Sequence, residues 1–207
     1  MDQRSRHLSE QVEPGGRPKA PGRLALLQRF INTWNHELPA EWDRLGTPEA
    51  AGAWLAAAGL AASPRISADD AAWLRELREA IRALAVANQN DGTGPELAAV
   101  RTVRAAARDA MLRVAVDPGG RTSLRPAHGD LRGALGTLLG ILHEAQLTGV
   151  WSRLKGCRQC GYAFYDRSKN RSAAWCAMAI CGNRAKNRAY RRRKPTTARQ
   201  RPAEPPT

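Results

Sequence analysis

Aromatic side chains are scarce in this chain of 207 residues: two Phe, three Tyr and six Trp account for 5% of it. Ala and Leu dominate the apolar fraction instead, a balance that favours a largely helical protein. Long hydrophobic runs are also lacking. The most apolar stretch, 131–150, opens just after Asp130 and is broken by Arg132, His143 and Glu144, which suits an amphipathic buried helix rather than a membrane span. Residues 1–22 have no apolar segment of signal-peptide type and are punctuated by Pro14, Gly15, Gly16, Pro18, Pro21 and Gly22. The expectation is a soluble, cytoplasmic protein with no membrane partner. In that reducing setting, clustered cysteines are metal ligands more often than disulfides.

Acidic residues are missing from one part only. Residues 1–150 carry 18 Lys+Arg against 17 Asp+Glu, whereas residues 151–207 carry 15 Lys+Arg against Asp166 and Glu204 alone. The net charge of +14 is therefore concentrated at the C-terminal end, the electrostatic footprint of a protein with a polyanionic partner. Signatures of catalysis are absent as well. There is no Gly-rich phosphate loop, no His-Glu-x-x-His and no cysteine outside one cluster. His36, His128 and His143 stand isolated. The chain reads as a binding protein and not an enzyme; an enzymatic site in the N-terminal part is the least supported alternative.

Along the chain, residues 1–22 read as a disordered tail. Leu24, Leu27, Phe30, Ile31 and Trp34 fall at helical spacing and predict a helix over about 23–36. Thr47-Pro48 is an N-cap followed by a favourable first helical residue, and opens a short helix ending near Gly59. Ser67 and Asp70 form a capping-box pattern before Leu74, Leu77, Ile81 and Leu84, with Arg75, Glu76, Arg78, Glu79 and Arg82 on the opposite face. A fourth helix over about 95–110 places Leu97, Val100, Val103 and Ala107 inward. Strand spacing at Val114 and Val116, a Pro118-Gly119-Gly120 turn and a return over 121–125 predict one β-hairpin. A last helix over about 128–147 completes a domain spanning 23–150. The fold class is mainly α with one small β-hairpin, a helical N-terminal domain followed by a small four-cysteine module over 151–194, and a basic, Pro-rich disordered tail over 195–207.

The cysteines occur as Cys157-x2-Cys160 and Cys176-x4-Cys181, with fifteen residues between the pairs. Two short-spaced pairs of soft ligands are what a closed, tetrahedral structural zinc site requires. A catalytic zinc would keep an open position with His or carboxylate ligands, and four-iron clusters use other spacings. One structural zinc ion is the economical assignment. Gly161 permits a tight knuckle after the first pair. A module this short needs the metal to fold, with Phe164, Tyr165 and Trp175 as its miniature core.

After Cys181 the sequence runs Gly-Asn-Arg-Ala-Lys-Asn-Arg-Ala-Tyr-Arg-Arg-Arg-Lys to Pro195. It is made of helix formers and stopped by proline. Arg184, Arg188, Arg191 and Arg192 recur at i, i+4, i+7 and i+8, so one face is cationic. Arginine suits bidentate contact with phosphates and guanine edges. Arg184, Lys186, Arg188, Arg191, Arg192 and Arg193 are the candidate DNA contacts, with RNA as the alternative polyanion.

Trp175-Cys176-x-Met178-x-x-Cys181-Gly182-Asn183-Arg184-x-Lys186 resembles the CGNR-type zinc finger, and Cys157-x2-Cys160, Phe164, Asp166, Arg167-Ser168, Asn170 and Tyr190-Arg191 fit the same pattern. That finger usually follows a helical domain called ABATE, in bacterial proteins regarded as stress-induced transcription regulators. Phe30-Ile31-Asn32-Thr33-Trp34 and Trp54-Leu55…Gly59-Leu60 are similar to ABATE. The resemblance covers about residues 23–194. It implies a DNA-binding regulator whose zinc ligands are Cys157, Cys160, Cys176 and Cys181. Two departures stand out: Ala173-Ala174 where the family often has a basic pair, and Arg29 where it often has an acid. For the N-terminal domain the expected role is ligand sensing or dimerisation. Asn32, Trp34, His36 and Glu37 are the candidate pocket for a small-molecule effector.

Overall fold

Ser67 opens the longest helix with a complete capping box: its hydroxyl accepts from the Asp70 backbone N–H at 3.1 Å, and the Asp70 carboxylate accepts from the Ser67 N–H at 2.9 Å. That reciprocal cap satisfies two donors the helix leaves orphaned. Thr47 caps its helix in the same manner, accepting from the Ala50 N–H at 3.2 Å with Pro48 at the first helical position. Asp130 caps a third, accepting from the Gly133 N–H at 3.2 Å.

The computed structural model describes residues 16–61, 65–89 and 94–193. The helices are α1 (Leu24–Ile31), α2 (Pro48–Ala57), α3 (Ala68–Ala87), α4 (Leu97–Asp109), α5 (Leu131–Leu147) and α6 (Asn183–Arg193). Between α4 and α5 lies an antiparallel hairpin, β1 (Leu112–Val116) with β2 (Thr122–Pro126). A second two-stranded sheet, β3 (Leu154–Gly156) with β4 (Ala163–Tyr165), follows α5. No helix among the described residues is long and apolar enough to cross a membrane. Residues 1–15 and 194–207, which contain most of the two expected tails, lie outside the described residues.

The core forms where α1, α2, α3 and α5 meet. Leu27, Phe30, Ile31, Leu55, Leu74, Leu77, Ile81, Leu138 and Ile141 are fully buried there. Phe30 and Trp54 pack with ring centroids 5.6 Å apart. Three expectations need correction. The first helix stops at Ile31 and not near His36, because the chain turns away at Asn32 to meet another element. In α4 the fully buried residues are Ala99 and Ala106, and Val103 packs against the core as expected, while Leu97 is 75% exposed and Ala107 faces outward. Arg78 and Arg82, expected on the solvent face of α3, are each only 2% exposed. Other segments of the chain close over that face, presenting the Asp43 carboxylate and Thr33 hydroxyl to Arg78 and backbone carbonyls to Arg82.

The β3–β4 pair is a plate with two covered faces. Residues alternate across a strand, so Leu154, Ala163 and Tyr165 project into the helical core, while Phe164 joins a separate cluster with the four cysteines. Tyr165, expected in the core of the C-terminal module, thus belongs to the helical domain's core. Gly156 sits where β3 crosses α3: a Cβ there would lie 2.5 Å from Val86 Cγ2. G156A should therefore lose about 1–3 kcal/mol of stability, as overpacking does. V86A in the same chain should recover most of it by opening that space, a non-additivity readable from urea unfolding of the two single variants and the double one.

Candidate metal centre and nucleic-acid interface

Cys157 and Cys160 lie at the tip of the β3–β4 hairpin, in a knuckle closed by hydrogen bonds from the Cys157 N–H to Tyr162 O and from the Gly161 N–H to Cys157 O, each 2.9 Å. Gly161 has φ +72°, the left-handed region that favours glycine. Cys176 precedes and Cys181 lies within a turn, Met178–Gly182, that runs directly into α6. The four sulfurs all lie within 4.8 Å of one another, and Cys160, Cys176 and Cys181 form a triangle with sides of 3.6–3.7 Å. Tetrahedral zinc with Zn–S of about 2.3 Å sets sulfurs about 3.8 Å apart, so the donor set fits the ion. It is a single, closed, structural zinc site. Without a cation the four thiols cannot ionise together. Hydrogen bonds from Cys160 and Cys176 hold the Cys157 thiol far below its ordinary range; those same hydrogen bonds, then burial and repulsion from the thiolate, push Cys160 up to about 12 and Cys176 higher still. A dication reverses that repulsion.

Two elements far apart in sequence brace the centre. Arg17 donates from Nε to Cys176 O at 2.7 Å and from Nη2 to Trp175 O at 2.9 Å, with its guanidinium 4.6 Å from the centre of the Phe164 ring. Residues 16–22, expected as the end of a disordered tail, are thus partly built into the finger. A polar, Pro/Gly-rich stretch carries no periodicity that would have revealed this. On the other side Arg82 donates to Gly161 O at 2.6 Å, and the His36 N–H donates to Cys160 O at 3.0 Å. A Cβ on Gly161 would meet the His36 ring at 3.0 Å.

Asp166 organises the loop between the cysteine pairs. Fully buried, it accepts from Lys155 Nζ at 2.9 Å, from the Ser168 N–H at 2.9 Å and from the Ala173 N–H at 3.0 Å. Lys155 is 3% exposed and also donates to Arg171 O. Burial pushes the Asp166 carboxyl up, but the bonds from Lys155, Ser168 and Ala173 outweigh it and hold the group at about 2.

The four residues expected to line an effector pocket meet the finger or separate grooves. The Asn32 amide is taken up by β4, accepting from the Ala163 N–H at 2.7 Å and donating to Ala163 O at 2.9 Å. Glu37 pairs with Gln159 at 3.0 Å and with Arg184 at 2.7 Å. Trp34 stacks near His36, with ring centroids 5.5 Å apart, and each lines a groove along α3. Of the candidate nucleic-acid contacts, Arg184 is tied to Glu37, and Lys186, Arg188, Arg191 and Arg192 are exposed on α6. Arg193 ends the helix, and its side chain lies outside the described residues.

Comparison with known families agrees with this geometry. A family model described as ABATE, "putative stress-induced transcription regulator", matches residues 22–146, more than half of the chain, and one described as CGNR zinc finger matches residues 153–194. No curated protein matches the chain.

D166N should leave the buried Lys155 charge unpaired and cost about 3–5 kcal/mol, as breaking one side of a buried pair does. The expected readouts are a lowered unfolding midpoint and faster loss of zinc to a chelator, with K155M partly restoring both. The folded carboxyl titrates below its unfolded value of about 3.9, so its contribution is complete at neutral pH, begins to fall near pH 4 and is lost as pH drops through about 2.

Proposed function

The chain belongs to the ABATE family and carries a CGNR zinc finger, and on that premise we propose that it is a non-catalytic transcription regulator that binds duplex DNA through α6. The observation that carries this reading is the exposed cationic face of Arg188, Arg191 and Arg192, with Lys186 exposed on the other side of α6, and none of the four has an acidic partner among the described residues. Zinc supplies no chemistry here. It fixes Cys181, two residues before α6 begins, and so gives the helix a rigid root. A helix of 11 residues extends about 16 Å and suits the major groove of B-form DNA, which admits an α-helix; the deep, narrow major groove of A-form RNA does not. Duplex DNA is therefore the favoured polyanion over structured RNA.

The helical domain has the sensing role in this reading. A groove of about 340 Å³ is lined by His36, Glu79, Arg82, Val86 and Pro95. Arg82 and His36 also hold the zinc knuckle, so an effector seated there would act on the finger directly.

If about five phosphates are neutralised, log K should fall with log salt at a slope of about −4 to −5. R188A with R191A should weaken binding and flatten the slope by about 2 while zinc content stays at one ion per chain. Chelation should weaken binding at least as much as R188A with R191A does. An unchanged slope in the variant, or structured RNA outcompeting duplex DNA at fixed salt, would overturn the assignment.

A further inference from the structure

The helical domain is nearly neutral as a whole, but its charge is segregated. Residues 97–132 hold seven arginines against Asp109, Asp117 and Asp130, leaving the remainder of 1–150 with more acids than bases. In β1–β2 the register sets Arg113 directly opposite Arg125, so both lie on one face of the hairpin. The other face is fixed by Leu112, whose side chain would touch a Cβ placed at Gly136 or Gly140 of α5. By strand alternation Arg113 and Arg125 therefore point away from α5. Both are exposed, and neither has an acidic partner among the described residues. Arg121 extends the row at the turn; its side chain is 89% exposed and meets Asp117 only at 3.5 Å. Helix α4, which leads into β1, adds Arg101, Arg104 and Arg108 at i, i+3 and i+7, all exposed and likewise without acidic partners among the described residues.

Like charges directly across a strand pair destabilise a hairpin. The hairpin is held by its strand ladder and by Leu112 against α5, so the Arg113–Arg125 pair is no part of what stabilises it. An anion lying across both guanidiniums removes that penalty, and the row of cations is complementary to a phosphate backbone. We propose that the β1–β2 hairpin is a second contact for the nucleic-acid backbone, remote in sequence from the finger, and that α4 extends it. The proposal rests on the DNA-binding reading for the identity of the polyanion. Its arginines contact phosphates and add affinity without sequence preference.

The experiment uses the full chain, zinc-loaded, with R113S/R125S, R188A/R191A and the fourfold combination, each titrated with a duplex of about two helical turns at several salt concentrations. Expected for R113S/R125S is roughly tenfold weaker binding and a slope flatter by about 2, with an unfolding midpoint equal to or above that of the parent chain because the repulsion is gone. R113K/R125K should retain most of the affinity. The fourfold variant should lose the salt-dependent binding that either pair alone leaves. Unchanged affinity and slope in R113S/R125S, while R188A/R191A weakens binding, would overturn this inference and leave the finger's role standing. A parent chain that binds no duplex would overturn both. Weakened binding accompanied by a changed oligomeric state would assign the hairpin to self-association and overturn it too.

Discussion

One guanidinium joins the three parts of the molecule that matter. Arg82, on α3, donates to Ile31 O and Trp34 O at the end of α1, to the Glu79 carboxylate on its own helix, and to Gly161 O in the zinc knuckle. Burial of so large a cation is costly unless each donor finds a partner, and here the planar fork meets acceptors on three sides. The carbonyls gain as much as the arginine does. Ile31 O is among the groups a helix leaves unsatisfied at its C-terminus, where a positive charge also complements the helix dipole. The same contact therefore closes α1, fixes the departure of the chain at Asn32 and docks the knuckle. Arg78 repeats the arrangement one turn earlier, with its guanidinium on the Asp43 carboxylate at 2.6 and 2.9 Å.

This explains which features were legible in the sequence. Caps were legible where they stand next to a clear helical pattern, as at Thr47 and Ser67, whereas Asp130 caps a helix that begins at Leu131 and not near His128. The cysteine pairs were legible because zinc imposes spacing, and the first hairpin because its turn chemistry is contiguous. The burial of Arg78 and Arg82 was not legible. Helical periodicity places them among Arg75, Glu76 and Glu79 on a polar face, and nothing within the helix announces that Asp43 and Gly161 will arrive from elsewhere. Asn32 was hidden for the same reason. It stands among aromatic and apolar neighbours like a pocket residue, yet its amide completes the edge of β4. Arg17 was the least legible, since its partners lie about 160 positions away.

The finger consequently differs from a free-standing zinc module tethered by a linker. Its hairpin contributes Leu154, Ala163 and Tyr165 to the helical core and Phe164 to the zinc cluster. Each face of the plate needs its own partner, the helices on one side and the metal on the other. Metal binding is folding free energy wherever the apo site cannot form alone, and here some of that free energy must pass through β3–β4 into the packing against α3. Loss of zinc should loosen more than the knuckle, and loss of the Arg82 contacts should weaken the hold on zinc.

Helix α6 grows out of the turn that holds Cys181, and the ion pair of Arg184 with Glu37 ties it to the helical domain, both side chains substantially exposed at 54% and 37%. Pairs of that kind contribute at most about 1 kcal/mol and weaken with salt. A phosphate can compete for Arg184 on equal terms, so nucleic acid can take this arginine without dismantling the domain that presents it. Glu37 also holds Gln159 of the knuckle. Were Arg184 drawn to a phosphate, the Glu37 carboxylate would keep its partner Gln159 in the finger.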